Sequence, residues 1–191
     1  MTNGDRHIVA AAVPLLVVDD VLDPALIVDL LSVADRDGWF RSPMIRPDVD
    51  GKPVLVADVD AKARHDHRLT DSDLTARVQK SLVTRLLPTV ALAFGHAAQS
   101  HEAFKIVRYD SGDGWFGLHR DNVTPDAAHR RFAVTVNLDD GYEGGCLHFP
   151  ELGPALYRPR PGAAIVFSCS LLHEVTPVTS GTRRALISFL W

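Results

Sequence analysis

Two rhythms of apolar residues divide the chain. Between about residues 24 and 94 the rhythm is helical. Leu26, Ile27, Leu30, Leu31 and Ala34 recur at helical spacing after Asp23-Pro24 and before Gly38. Asp can cap free N–H groups, Pro suits the first helical position, and Gly ends a helix. A second stripe, Leu74, Val78, Leu82, Leu86 and Val90, predicts a helix capped by Thr70 or Asp71, running to about Phe94 and stopped by Gly95. Pro88 falls inside this stripe, so a kink or break is expected there.

From about residue 102 the apolar pieces are short and strand-like: Phe104–Tyr109, Trp115–Leu118, Phe132–Leu138, Cys146–Phe149, Ala155–Tyr157, Ala163–Ser168, His173–Val178 and Ala185–Leu190. Turn signals separate them, among them Ser111-Gly112-Asp113-Gly114, Gly144-Gly145 and Pro161-Gly162. Eight short strands at close spacing predict an antiparallel sandwich or jelly roll. The fold class expected is α+β, mainly β, with the N-terminal helices packed on one sheet. A single domain over 1–191 is expected, with 1–100 a helical support region and 101–191 the jelly-roll core. Ile8 to Val18 reads as a strand. Trp39 to Asp60 reads as loop and irregular strand around Val54-Leu55-Val56, and His65-Asp66-His67 as a solvated, charged loop.

Composition adds limits. Hydrophobic residues make up 46% and charged residues 23%, the balance of an ordinary soluble globular protein. The net charge of -4 gives no broad basic surface for nucleic acid. The apolar N-terminal run is too short to span a bilayer, is interrupted by Pro14 and is followed by Asp19-Asp20. No membrane role is expected, and the location expected is cytoplasmic. Cys146 and Cys169 both lie in apolar segments and read as free thiols of a reducing compartment.

The chemistry begins at His119-Arg120-Asp121. Residues two apart on an extended chain point to one side, so this imidazole and carboxylate can chelate a divalent metal. His173, 52 residues beyond Asp121, is the best candidate for a third ligand. Two His and one carboxylate with open positions form the facial arrangement of non-haem Fe(II) oxygenases. His65-Asp66-His67 is a rival cluster without an obvious third ligand. Ten residues after His173, Arg183 enters the last strand and shares a face with Ala185, Ile187 and Phe189. Arg184, Leu186 and Ser188 take the other face. An inward arginine is costly unless an anion pairs with it, and a bidentate carboxylate meets that need.

The ordered motifs resemble the Fe(II)/2-oxoglutarate-dependent dioxygenase superfamily, in its prolyl-4-hydroxylase-like branch. They are Tyr109-Asp110-Ser111-Gly112, His119-Arg120-Asp121, Val136-Asn137-Leu138-Asp139-Asp140, Glu143-Gly144-Gly145-Cys146-Leu147-His148-Phe149-Pro150, Pro161-Gly162-Ala163-Ala164-Ile165-Val166-Phe167, Leu172-His173-Glu174-Val175-Thr176-Pro177-Val178 and Gly181-Thr182-Arg183-Arg184. The resemblance implies a double-stranded β-helix over about 102–191. It implies His119, Asp121 and His173 as iron ligands and Arg183 as the partner of the distal carboxylate of 2-oxoglutarate. Tyr109 would line the cosubstrate pocket. Asn137 stands where many members carry a Tyr that holds the same carboxylate. Fe(II), 2-oxoglutarate and O₂ are implied, with ascorbate as an auxiliary cofactor. The implied reaction hydroxylates a C–H bond of a protein side chain such as prolyl, an amino acid or a small metabolite, releasing succinate and CO₂.

Other readings compete. His119-Arg120-Asp121-Asn122 also resembles a protein-kinase catalytic loop, but the Gly-rich loop, Val-Ala-Ile-Lys and Asp-Phe-Gly are missing. A jelly-roll sensor that binds metal without turnover, and a metal-assisted hydrolase, remain alternatives. The partner expected is a small-molecule or peptide substrate. Lys62 and Arg64 form a basic pair that would favour an acidic substrate if they stand near the entrance.

Overall fold

The helical rhythm becomes two helical rods and the short-period rhythm becomes sheets in the computed structural model, which describes residues 15–47, 49, 50, 52–56, 58 and 61–191. In chain order the elements are β1 (Leu15–Val18), α1 (Pro24–Asp37), β2 (Phe40–Arg41), β3 (Met44–Pro47), β4 (Pro53–Val56), β5 (Lys62–Ala63) and β6 (His65–Arg68). Then come α2 (Ser72–Ser81), a π-turn (Leu82–Leu86) and α3 (Leu87–Phe94). The rest is β7 (Lys105–Asp110), β8 (Trp115–His119), β9 (Phe132–Asn137), β10 (Tyr142–Gly144), β11 (Leu147–His148), β12 (Leu156–Tyr157), β13 (Ala164–Ser168), β14 (His173–Val175) and β15 (Val178–Leu190).

The caps fall where the sequence puts them. Asp23 accepts from the Leu26 N–H at 2.8 Å, and Asp71 from the Leu74 N–H at 2.9 Å. Gly38 and Gly95 close the two rods. The break expected at Pro88 is a π-turn just before it. Proline has no N–H to donate to the preceding turn, and the ladder widens there to absorb the gap.

The larger sheet runs β1-β13-β9-β15-β7-β6-β2, with β10 also on β15, and the smaller runs β12-β11-β14-β8-β5. Alternation gives the larger sheet two unlike faces. Ile106, Val134, Val136, Val166, Leu186 and Leu190 point outward and pack with Leu26, Leu30, Val78, Leu86 and Val90 of the helices. The helices thus cover one sheet of a jelly roll, as expected. Val107, Tyr109, Ala133, Phe167, Ala185 and Phe189 point inward and meet Leu147 and Val175 of the smaller sheet.

One segment departs from the expectation. Residues 40–68 contribute β2 and β6 to the larger sheet and β5 to the smaller, where a solvated loop was expected over His65-Asp66-His67. Asp66 and His67 are buried. The reason is pairing: β6 lies between β7 and β2, and the neighbours that receive its polar side chains are distant in sequence. The apolar piece at Val54 forms a hairpin of β3 with β4. Of the strand expected over Ile8 to Val18, residues 8–14 lie outside the described residues. Cys146 and Cys169 are free thiols, the first half-buried and the second buried. Among the described residues, no helix is long and apolar enough to cross a membrane.

Candidate metal centre and its cavity

Strand register brings the two histidines together. His173 on β14 is the direct cross-strand partner of His119 on β8. The 54-residue separation of the two histidines therefore closes within one ladder. Asp121 follows β8 by two residues, and its N–H donates to the Cys169 carbonyl at 2.9 Å. His119 Nε2 lies 3.4 Å from Asp121 Oδ1, and His173 Nε2 lies 3.4 Å from Asp121 Oδ2. One donor atom from each of the three residues lies within 4.8 Å of the others.

Both imidazoles are held by their far nitrogen. His119 Nδ1 donates to the Gly117 carbonyl at 2.7 Å, and His173 Nδ1 to the Leu171 carbonyl at 3.0 Å. A carbonyl can only accept, so Nδ1 carries the proton and Nε2 presents a lone pair. Two such lone pairs face a carboxylate, and this grouping of acceptors calls for a cation between them. Burial, together with His119, holds the His173 pKa below its usual value, although Asp121 opposes this. Burial pushes Asp121 the other way, but His119, His173 and Arg130 outweigh it and keep the carboxyl below its usual value. A neutral imidazole and an ionised carboxylate are the states a metal takes. The donor set fits a divalent ion of the non-haem iron type. Phe116 stacks on His119 with centroids 3.6 Å apart, and the Phe167 edge meets His173 at 4.6 Å.

The triad borders a cavity of about 200 Å³ inside the barrel. Arg183 lines it and is buried, its guanidinium carbon 5.2 Å from the Tyr109 ring centre. Its neighbour Arg184 faces away and donates from Nε to Asp139 at 2.6 Å. The face assignment on β15 is therefore the observed one. Gly145, at φ +58°, lets the Arg183 stem lie close: a Cβ there would come within 2.9 Å of Arg183 Cδ. Arg64 also lines the cavity, donating to Tyr109 Oη at 3.3 Å and to Asp66 at 2.9 Å. Burial works against the Arg64 charge, but Tyr109 and Asp66 outweigh it and keep the guanidinium protonated.

The chain matches the family model of the 2OG-Fe(II) oxygenase superfamily over residues 104–191. A PKHD-type hydroxylase of Pseudomonas putida is 30% identical over 170 residues, covering 83% of this chain and 73% of the relative. The chain belongs to the 2OG-Fe(II) oxygenase superfamily. A PKHD-type hydroxylase of Sphingopyxis alaskensis is 32% identical over 151 residues, 74% of this oxygenase and 66% of the relative. The oxygenase thus spans about two thirds of that relative's length. Among solved structures, a Pseudomonas putida prolyl-4-hydroxylase shares its fold at TM-score 0.65 and 15% identity, covering 93% of this chain and 91% of that one. A Trichoplax adhaerens prolyl hydroxylase, solved with a hypoxia inducible factor peptide fragment, does so at TM-score 0.68 and 15% identity, covering 93% and 83%.

Not every residue singled out in the sequence of this oxygenase reaches the cavity. Asn137 does not line it. Its amide N–H groups donate to the carbonyls of Asp139 at 2.6 Å and Pro159 at 2.9 Å, and its Oδ1 accepts from Tyr142 at 3.1 Å. That side chain is spent on a turn. Thr135, two residues earlier on the same face, does line the cavity, as do Lys105 and Arg130. Lys105 could have been found, because it alternates with Val107 and Tyr109. Arg130 carries no local signal. It is drawn in by Glu102 at 2.6 Å and by the Phe189 ring, 3.8 Å below its guanidinium carbon.

Proposed function

We propose that this oxygenase hydroxylates a C–H bond of an amino acid, a protein side chain or a small metabolite, with His119, Asp121 and His173 holding Fe(II) and Arg183 holding 2-oxoglutarate. The single observation that carries the reading is the meeting of the triad with Arg183, a buried cation with no ion-pair partner among the described residues, on one cavity. When bound, the metal and the 2-oxo acid supply oxidation of the substrate by O₂, with release of succinate and CO₂.

The chain's own share is to place and to exclude. Gly117 and Leu171 carbonyls fix both rings with Nε2 toward the cavity. Arg130, anchored by Glu102, donates to the Asp121 carbonyl at 3.1 Å and steadies the carboxylate-bearing turn. Arg183 offers a forked donor to the distal carboxylate, with Tyr109 beneath it and Arg64 behind Tyr109. Asn137 takes no part in this reading. Phe116, Leu147, Val175, Ile187 and Phe189 form the apolar part of the lining and strengthen each charge interaction by excluding water. The peptide in the Trichoplax relative supports a peptide among the candidate substrates.

The test is anaerobic titration of 2-oxoglutarate into the Fe(II)-loaded protein, followed by the metal-to-ligand charge-transfer band, and then succinate release under O₂. Losing a charge-assisted bond to a buried anion costs roughly 2–5 kcal/mol. Arg183→Met should therefore weaken 2-oxoglutarate by about 30- to 5,000-fold with Fe(II) binding retained. Arg184→Met, whose guanidinium meets Asp139 outside the cavity, should weaken it little. Unchanged affinity in Arg183→Met, or no succinate from the wild type with any candidate substrate, overturns the assignment.

A further inference from the structure

Five cationic side chains line the cavity: Lys62, Arg64, Lys105, Arg130 and Arg183. Two are matched by carboxylates, Arg64 by Asp66 at 2.9 Å and Arg130 by Glu102 at 2.6 Å. Lys62, Lys105 and Arg183 have no ion-pair partner among the described residues. On the reading proposed above, Arg183 is met by one carboxylate of the cosubstrate. Asp121 and the other carboxylate meet the divalent ion. Two ammonium groups are then left without a counter-charge in the same chamber.

The two differ in position. Lys105 faces the inner cavity alone. Lys62 also borders a second, larger groove, lined by Pro43, Met44, Trp115, Leu118 and Val123, that runs along the outside of β8. Phe116, His119, Asp121 and Arg130 border both spaces as well. These shared residues form the threshold where the outer groove meets the triad. A molecule reaching the triad from the groove passes Lys62. Arg130 is already committed to Glu102 and Phe189, so Lys62 is the threshold cation with charge to spare.

The Lys62 ammonium is fixed in place. It is 6% exposed, donates to Ser42 Oγ and to the Pro43 carbonyl at 2.9 Å each, and sits 5.1 Å from the Phe116 ring centre. An ammonium has three N–H donors, so one is left over. Both partners present are neutral. Burying a cation among neutral acceptors is unfavourable, and an arriving anion relieves that cost. Burial and the nearby Arg64 already drive the lysine pKa down to about 7, with Asp66 opposing.

We infer that Lys62 binds a carboxylate of the primary substrate, so that the molecule oxidised is a carboxylic acid positioned through that group at the threshold. The carboxylate has two sources, the α-carboxylate of a free amino acid or the side chain of an acidic residue in a peptide. Both share the same recognition: a charge-assisted hydrogen bond from the third Lys62 N–H, with Phe116 and Trp115 flanking the carbon skeleton.

The experiment uses the full chain loaded anaerobically with Fe(II) and 2-oxoglutarate. One arm titrates free amino acids against their α-amides. The other titrates N-acetyl, C-amide capped glutamate and aspartate against capped glutamine and asparagine. Binding is read by calorimetry and by the shift of the charge-transfer band, without turnover. In one arm the acid should bind about tenfold or more tighter than its amide, the worth of a hydrogen bond to a charged group. Lys62→Gln keeps an amide donor for Ser42 and Pro43 but no charge. It should cut the acid's advantage to about twofold or less while 2-oxoglutarate affinity stays as in the wild type. Amides that bind as well as acids, or no acid bound in either arm, overturn the inference and leave the Fe(II)/2-oxoglutarate reading standing. A wild type without the charge-transfer band overturns that reading and this inference with it. Loss of 2-oxoglutarate affinity in Lys62→Gln overturns the inference by making Lys62 the cosubstrate's partner.

Discussion

His65-Asp66-His67 carries three metal-binding groups and His119-Arg120-Asp121 only two, yet the fold builds the metal centre on the poorer triplet. Both lie on or beside a strand that pairs on two sides. In His119-Arg120-Asp121, alternation places the imidazole and the carboxylate on one face, and the facing strand offers His173 directly across from His119. In His65-Asp66-His67, alternation separates the acid from both histidines. Asp66 turns into the barrel and accepts from Arg64 and Ser42. His67 turns outward, its Nδ1 at the Gly38 carbonyl and its ring edge-on to Trp39 at 6.0 Å. His65 lies at the surface 3.8 Å from Asp110. What distinguishes a site from a structural patch is which residue types share parity along the strand, and what the neighbouring strand supplies at that register.

The most drastic way to break the comparison is to remove one imidazole from each triplet's neighbourhood. His173→Ala should abolish stoichiometric Fe(II) binding, since a two-donor remnant leaves the ion mostly hydrated. His67→Ala should keep it, since His67 is spent on Gly38 and Trp39. Fe(II) titration monitored alongside circular dichroism separates loss of site from loss of fold. Iron binding that survives in His173→Ala and vanishes in His67→Ala would reverse the assignment.

The triplet His65-Asp66-His67 has its own consequence, which is stability. Asp66→Asn leaves the buried Arg64 guanidinium without its counter-ion. Breaking a buried pair by removing one partner costs about 3–5 kcal/mol. Equilibrium urea unfolding near neutral pH should show that loss. The pH dependence has a definite sign. Burial raises the Asp66 pKa, but Arg64 and the Ser42 hydrogen bond outweigh it and hold it below the usual carboxylate value. Its stabilisation is therefore present above the unfolded pKa and is lost as pH falls through the lower folded value. The gap between wild type and Asp66→Asn should be full near pH 7 and close in strong acid. A gap that stays constant into acid would remove the ion pair as its cause.

The contrast also explains how far the sequence could be read. His119-Arg120-Asp121 and His173 were legible because each carried a local signal, strand parity in one case and a strand start in the other. Arg183 and Arg184 could be told apart for the same reason: one strand, fixed alternation, apolar neighbours on a single side. The α1 and α2 caps and the break at Pro88 were legible because backbone chemistry decides them within one turn. Strand β6 was not. Lys62, Arg64 and Asp66 alternate with Ala63, His65 and His67, so neither face reads as apolar, and a charged loop is the natural reading. Their burial is decided by Tyr109 and Lys105 of β7 and by Ser42 of the link between β2 and β3, all distant in sequence. Asn137 fails for a related reason. Its place in the motif was legible, but the carbonyls of Asp139 and Pro159 that consume its amide belong to the shape of a turn.

The smallest effect expected concerns Lys62, and it runs against the usual direction for a mutation. Stability and ligand recognition make opposite demands on a buried cation. If the lysine is there for an anion, the protein without that anion should bear its cost. The folded pKa near 7, against 10.5 in the unfolded chain, reflects burial first and then Arg64, with Asp66 opposing and Lys105 adding to the repulsion. A shift of that size corresponds to about 4–5 kcal/mol at about 1.4 kcal/mol per unit. The hydrogen bonds to Ser42 and Pro43 return part of it, each worth about 1–1.5 kcal/mol. Lys62→Met, which keeps the stem over Phe116 and drops the charge, should therefore stabilise the unliganded protein by on the order of 2 kcal/mol at pH 6. Below pH 7 the lysine is protonated in both states and the penalty is full. Between pH 7 and 10.5 the unfolded chain binds the extra proton, so wild-type stability rises with pH. The advantage of Lys62→Met should shrink over that window and be gone above it. Thermal and urea unfolding from pH 6 to pH 10 measures this directly. A Lys62→Met protein that is less stable than the wild type throughout would mean that the ammonium holds β5 to the segment around Ser42. It would then be a structural clasp whose charge is already satisfied.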